Sequence, residues 1–427
     1  MFEDYKYENL LPLTYVKPVF ELKLGFDSIL DKLLSYFSYP VVLVVRDYLV
    51  KVELERRSHC QVNSLGDADE LLLVNGRLIP RGSSINLIAE LMGKHDSFIL
   101  TDVNGDVAAA KIGSEHVSGL RSVVEENPLG LRDFLIKLKS DLEVFESRDI
   151  DLIGYLWDLV DLNSEFLRLD FKRKVGSPGI YCSIDSRTVI YGSYGDMYIS
   201  SNVEIEGNVN IDARRGPVYI DDGVTVYGPA RIEGPCYIGR DSLILSGARI
   251  RGGSSIGEVC RVGGEVEESI LYGYVNMYHE GFIGHSYISE WVNLGALTVT
   301  SDLKNTYGIV KVKGVSSGRI KVGCFMADHV KTAIGCRIWT GKCIGVASHL
   351  YGVVYEDVPS FTIYAKSIGL GAYELKLESA IETMKRVYSR RGRVPSECEI
   401  ELIRKIFELT ERERADAGVV KGEFRVP

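Results

Sequence analysis

The sequence predicts a parallel β-helix of hexapeptide coils, preceded by an α/β domain and followed by helices. Three observations carry this expectation. Ile220, Val226, Ile232, Ile238, Ile244, Ile250, Ile256 and Val262 recur at every sixth position. Ile199, Ile205 and Ile211 keep the same step earlier, and Ile270, Phe282, Ile288 and Leu294 resume it after a two-residue slip past Val262. A glycine follows the apolar residue at Ile238-Gly239, Ile256-Gly257, Val262-Gly263, Leu294-Gly295, Val322-Gly323, Ile334-Gly335 and Ile344-Gly345. A period of six fits neither an amphipathic helix nor a plainly alternating strand. It fits a coil of three short strands and three corners, with one aliphatic residue per hexapeptide stacking on its equivalent a coil away. Glycine beside it eases a corner that crowds a side chain or forces φ positive. A β-sandwich with accidental spacing is the competing fold, and an unbroken run from Ile220 to Val262 argues against it. At about 18 residues per coil, residues 180–351 hold roughly nine coils, a prism about 40 Å tall.

The chain of 427 residues is long enough for two or three domains, and its 45% apolar content supplies large cores. It has no apolar run long enough to span a bilayer. The opening MFEDYKYENLL is acidic and has no apolar core of a secretory signal. A net charge of −9 speaks against nucleic acid as the main partner. The eight cysteines form no CxxC pair, so buried free thiols in a reducing cytoplasm are expected rather than a metal site.

In chain order, residues 1–115 read as an α/β domain with an open, Rossmann-like sheet. Tyr39–Val45, Glu70–Val74, Ser97–Thr101 and Val107–Lys111 are its strand candidates, and Ser28–Tyr36 has helical spacing. Residues 116–175 carry apolar residues at i, i+3, i+4 and form a helical connector, broken at Asn127-Pro128. Residues 176–365 are the coil. Residues 366–427 form a helical tail, with Tyr373–Tyr388 and Glu397–Glu413 around a basic Arg390-Arg391-Gly392-Arg393 turn. Two such helices cap the open end of a solenoid, which otherwise exposes strand edges.

Two segments resemble known families. Leu10–Gly25 (LLPLTYVKPVFELKLG) resembles the PLTxxxPK segment of sugar-phosphate nucleotidyltransferases. In that family a Gly-rich loop ahead of the segment cradles triphosphate through backbone amides; here the first glycine is Gly25, and the family's lysine after proline falls at Val19. Where the family carries a Mg²⁺-binding Asp, this chain has Asn75-Gly76-Arg77, and an amide beside a cation is a poor ligand for Mg²⁺. The resemblance implies a trimmed, degenerate nucleotidyltransferase domain. Lys17, Lys23, Asn75 and Arg77 are its candidate nucleotide contacts, with Mg²⁺ needed only if it is active.

Residues 265–311 contain His279 and, fourteen positions on, Asn293 in VNLGALT, followed by GVSSGRIKVGCFMADHVKTAIG. This resembles the acetyltransferase half of the bifunctional N-acetylglucosamine-1-phosphate uridyltransferase/glucosamine-1-phosphate acetyltransferase family, whose coil is a left-handed β-helix. The resemblance implies acetyl-CoA-dependent acetylation of an amino-sugar 1-phosphate in nucleotide-sugar biosynthesis. A neutral imidazole with a pKa near 6.5 suits removal of the amine proton, which makes His279 the general base. By the same resemblance Asn293 holds the sugar, Arg251 contacts its phosphate and the Ala296 amide binds the oxyanion. His329 lies in a segment near the acetyl-CoA groove, and Lys304 is a candidate substitute for a lost phosphate contact. Glu267 stands where the family has a phosphate-binding lysine, and Phe282 where it has tyrosine. His285 reads as an ordinary corner residue. The family also implies a homotrimer, for which Tyr272, Tyr274, Met277 and Tyr278 offer an apolar contact row. Two alternatives stand beside acetyl transfer: nucleotidyl transfer by the first domain, and a non-catalytic assembly protein that binds a nucleotide sugar.

Overall fold

The computed structural model describes residues 1–37 and 39–424; the last three residues of the expected tail lie outside them. Two compact units divide the chain: residues 1–22, 27–155 and 397–402 form one, and residues 23–26, 156–396 and 403–427 the other. No helix among the described residues is long and apolar enough to cross a membrane.

The first unit is built on a four-stranded sheet in the order Leu71–Val74, Val107–Ile112, Phe98–Thr101, Val144–Glu146. The first three strands pair antiparallel and the last pair is parallel, so the sheet is mixed rather than uniformly parallel. Three of the strands fall where the apolar runs predict them. The fourth, Val144-Phe145-Glu146, is too short to announce itself. In the Val107–Ile112 strand Ala108, Ala109 and Ala110 are fully buried, and their small side chains let neighbouring elements sit close. The residues expected to form a separate connector divide between the units. Ser114–Glu126 and Leu131–Lys137 send Val117, Leu120, Val124, Leu131 and Leu135 into the first core, while Leu156–Lys174 belongs to the second. The Leu10–Gly25 segment enters this unit pinned by a buried pair. Arg46 Nε donates to Glu3 Oε2 at 3.0 Å, its Nη2 to the Lys17 carbonyl at 3.0 Å, and Val19 N–H to Glu3 Oε1 at 2.9 Å.

The second unit is the left-handed β-helix. Two parallel nine-stranded sheets and a third, interrupted one form its faces. Successive coils pair in register, for example Ile211 with Ile232, Ile220 with Ile238, Val226 with Ile244 and Ile232 with Ile250. All residues of the Ile220 to Val262 run lie in one continuous core. Past the slip the column differs from the six-residue extrapolation. Ile270 pairs with Ser255 and Phe282 with Glu265, both in outward rows, while their neighbours Leu271 and Ile283 point inward. A one-residue change of step at a corner exchanges inward and outward positions, and a second change restores them at Ile288, which is again in the core.

Each face carries a distinct outward row. On the first, which we term the tyrosine face, Tyr198, Tyr219 and Tyr237 lie in register with ring separations of 4.7 and 5.6 Å. Phe26 stacks on Tyr237 at 4.6 Å, and Leu167 and Phe171 of the Leu156–Lys174 helix complete the cover. Residues 23–26 thus form a strap. Asn163 Oδ1 accepts the Gly25 N–H, Asp170 accepts the Phe26 N–H, and the Lys23 N–H donates to Tyr287 Oη at 2.8 Å. Gly25 has φ +69°, and a Cβ there would lie 2.3 Å from the Asp170 carboxylate. The second face is charged and described below. The third is covered at one corner by the Leu377–Ser389 helix, whose Tyr388 stacks on Trp291 at 3.9 Å, with Tyr274 stacked beneath at 4.2 Å. This helix therefore lies against a face, where the sequence suggests an end cap. The last coil is closed instead by Gly371–Glu374, antiparallel to Thr362–Ala365, and by Phe407 edge-on to Phe361.

Coil spacing depends on glycine where backbones approach. A Cβ on Gly257 would sit 1.7 Å from the Tyr272 carbonyl oxygen one coil on, whereas a Cβ on Gly176 meets nothing within 4 Å. Gly257→Ala is expected to cost about 1–3 kcal/mol, read as a lower urea midpoint, with Gly176→Ala near wild type. Equal midpoints for the two variants would contradict this packing.

Candidate active site

His279 lies in the corner between Asn276–Met277 on the third face and Phe282–Gly284 on the charged face. It is exposed, and its ring makes no hydrogen bond to any described residue; Tyr278 meets it edge-on at 5.4 Å. The next coil is fixed in register above it: Asn276 pairs with Asn293, and Leu297 N–H donates to the Glu280 carbonyl at 2.7 Å. Ala296 therefore occupies the same corner one coil along, at the roughly 4.8 Å spacing of adjacent strands. Its carbonyl accepts from Gly335 N–H at 2.7 Å, and its own N–H has no acceptor among the described residues. An unpaired amide beside a free imidazole supplies a donor and a base side by side. Tyr278, Leu297 and Ile334, in three successive coils of this corner, are 44%, 63% and 80% exposed, an apolar column flanking His279.

Asn293 sits on the third face, where its Oδ1 accepts from Asn276 Nδ2 at 2.9 Å. Arg251 lies on the charged face, in an alternating network. Arg214 and Arg231 grip Asp212 at 2.6 and 2.8 Å, and Arg231 also meets Glu233. Arg251 stands 3.8 Å from Glu233 and 3.4 Å from Glu265, and Arg249 joins Glu265 to Glu280 at 3.0 and 3.9 Å. Arg251 is thus held loosely between carboxylates, toward the edge of the face opposite His279. There it helps line a cleft of about 500 Å³ with Arg168, Arg215, Glu267 and Glu268. Lys304 stays in the loop that carries the Lys311–Val312 and Val315–Ser316 hairpin, where its Nζ donates to the Ile309 carbonyl at 2.6 Å. His329 occupies the other corner of the third face, its ring 6.2 Å from Tyr388, so one chain does not bring it to His279. Of the expected contact row, Met277 points into the core, Tyr274 lies under Trp291 and Tyr272 faces the Lys23 ammonium at 5.5 Å; Tyr278 is exposed.

Of the nucleotide candidates of the first segment only Asn75 and Arg77 meet, the Arg77 N–H donating to Asn75 Oδ1 at 2.9 Å. Lys23 belongs to the second unit. Lys17 is buried. Arg77 binds Asp4 through Nε and Nη2 at 2.9 and 2.7 Å and the Ile153 carbonyl at 2.9 Å, and Asn75 donates to Asp4 and to the Val107 carbonyl. Both side chains are consumed by a buried network whose second carboxylate, Asp106, also takes Lys6. No group of three or more metal-ligating side chains occurs among the described residues.

Sequence comparison bears on both units. Residues 1–175 match the family model described as sugar nucleotidyl transferase. A bifunctional sugar-1-phosphate nucleotidylyltransferase/acetyltransferase of Sulfurisphaera tokodaii is 30% identical over 251 residues, 56% of this chain and 55% of that protein. The chain is thus similar to such bifunctional enzymes over about half of its length. The bifunctional protein GlmU of Bordetella parapertussis is 23% identical over 314 residues, 63% of this chain and 67% of its own, and that of Methanococcus maripaludis 29% identical over 233, 52% and 48%. The matches thus span about half to two thirds of these relatives. A solved UDP-N-acetylglucosamine acyltransferase aligns with 55% of this chain and 89% of its own, at 17% identity and a TM-score of 0.25.

His285 is more than a corner residue. Its Nδ1 lies 2.7 Å from Asp302 Oδ2 and its Nε2 3.1 Å from Glu268 Oε2. Burial opposes its charge, but the bonds to Asp302 and Glu268 outweigh it and push the ring up to about 9. Because the folded pKa exceeds the unfolded value near 6.5, this stabilisation is complete below about pH 6.5 and is lost as pH rises through 9. The melting temperature of the wild type should therefore fall more steeply between pH 6.5 and 9 than that of His285→Gln. Parallel curves would refute the double ion pair.

Proposed function

We propose that the coil unit transfers an acetyl group from acetyl-CoA to the amine of an amino-sugar 1-phosphate, with His279 as general base. The observation that carries this is the free His279 imidazole beside the unpaired Ala296 N–H. The amine nitrogen attacks the thioester carbonyl, and His279 takes the proton that the nitrogen must lose. The Ala296 N–H donates to the oxyanion as the carbonyl becomes tetrahedral, and the C–S bond breaks to release the thiol. Asn293 contacts the sugar. Arg251 meets the phosphate, exchanging its longer contacts to Glu233 and Glu265 for a bidentate one.

The working state is a homotrimer. The tyrosine face is covered by the chain's own helix and strap, and Tyr388 and its helix lie on the third. The charged face and the column of Tyr278, Leu297 and Ile334 beside His279 are left for contact between copies. His329 then serves acetyl-CoA at a seam to which two copies contribute. The proposed setting is cytoplasmic.

A second activity, nucleotidyl transfer, is favoured by the match over residues 1–175 and by the names of the bifunctional relatives. The residues present do not fit its Mg²⁺: Asp4 and Asp106 are neutralised by Arg77 and Lys6, and Asn75 is spent on Asp4.

The deciding assay is thiol release from acetyl-CoA with glucosamine 1-phosphate. His279→Ala should lower kcat by about 100-fold or more. No thiol release with any hexosamine phosphate, or an unchanged rate in the variant, overturns the proposal. Pyrophosphate release from a nucleoside triphosphate and a sugar 1-phosphate would establish the second activity. Silence in both assays with a thermal shift on adding a nucleotide sugar would favour a non-catalytic binding protein.

A further inference from the structure

The third face carries a polar row of which the proposed acetyl transfer uses only Asn293. Arg261, Asn276, Asn293, Lys331 and His349 stand opposite one another on successive coils. The turn after the Leu377–Ser389 helix brings Arg391 onto this row, with Nη2 3.4 Å from Asn276 Oδ1. Its Nε is buried and has no hydrogen-bond partner. Lys331 donates to the carbonyls of Trp291 and His329 at 2.7 and 2.9 Å, neutral acceptors in both cases.

On the charged face every arginine of the network answers a carboxylate. Among the described residues none answers Arg261, Lys331 or Arg391. Burial, then Arg261 and Arg390, hold the Arg391 guanidinium below its usual range. Burial brings the Lys331 amine down to about 7, and burial together with Lys331 brings His349 down to about 4. A chain with a net charge of −9 has thus set the guanidiniums of Arg261 and Arg391 against each other beside the buried Lys331 amine. Such an arrangement is costly unless an anion completes it, because a buried polar donor left unmatched loses its hydration for nothing.

We infer that the slot between the third face and the Arg390–Arg393 turn binds a phosphate-bearing ligand, gripped by Arg391 and Arg261 with Asn276 between them. Phosphate is the chemistry that two guanidiniums recognise best, since each presents a planar fork to paired oxygens. The anion comes either from free inorganic phosphates or from a nucleotide such as coenzyme A. The slot uses neither His279 nor Arg251, so it stands or falls apart from the proposed acetyl transfer.

The test titrates inorganic pyrophosphate into the full chain by calorimetry, with coenzyme A as a competitor. Saturable binding is expected. Arg391→Gln and Arg261→Gln should each weaken it about tenfold or more, and His279→Ala should bind as wild type. Displacement by coenzyme A assigns the slot to nucleotide phosphates, and coexistence assigns it to free phosphates. Far-UV circular dichroism checks that each variant folds; if Arg391→Gln does not, Arg261→Gln decides alone. The inference is overturned if neither ligand binds, if the arginine variant that folds binds as wild type, or if His279→Ala abolishes binding.

Discussion

The stacking of inward aliphatic side chains sets everything else in the second unit. One coil buries almost nothing by itself, and only coil upon coil does the column of Ile220, Ile238, Ile256 and Leu271 leave water. The same register spaces the outward residues at the strand interval, so any residue type repeated on one face becomes a row. Tyrosine repeated gives a surface that a helix can dock on. Alternating arginine and glutamate gives a network that needs no cover. Lysine, histidine and asparagine beneath a helical turn give a polar slot. Three kinds of surface therefore follow from one hydrophobic constraint.

Covering decides where chemistry can occur. Phe26, Leu167 and Phe171 occupy the tyrosine face, and Tyr388 and Trp291 lock the far corner of the third. Apart from the row beneath the Arg390–Arg393 turn, what stays open is the charged face with its two edges. His279 and Ala296 stand at one edge, the arginine-lined cleft at the other. The acidic residues of that face, Glu265 and Glu267 in particular, make it less electropositive than a surface built only to hold phosphate.

The coil was legible because its signal is one-dimensional: a strict step of six names the inward residues from Ile220 to Val262 without any knowledge of contacts. The signal weakened where corners lost a residue, and Ile270 and Phe282 then took outward positions. Spacing also brought His279 and Ala296 to one corner, since their separation is close to one coil. What spacing does not encode is which cation meets which carboxylate. Asn75 and Arg77 lie in a loop whose partners, Asp4 and Ile153, are far off in sequence. The slot on the third face carried a faint trace, because Asn276, Lys331 and His349 each precede an inward residue of the column. Arg391, which completes it, comes from a helical turn with no periodic link to the coil.

The strap of residues 23–26 imposes an order of assembly. Lys23 and Tyr287 are separated by 264 positions, and Phe26 lies on tyrosines from two successive coils. The coil can grow by adding each turn to its neighbour, a local process with little entropy to lose. The strap has nothing to grasp until those turns exist, so a segment near the start of the chain must wait for coils hundreds of residues on. Closing so long a loop is slow relative to neighbour-on-neighbour growth. Until it closes, a ladder of tyrosine rings stands wet and adhesive, and that interval is when this chain is most exposed to aggregation.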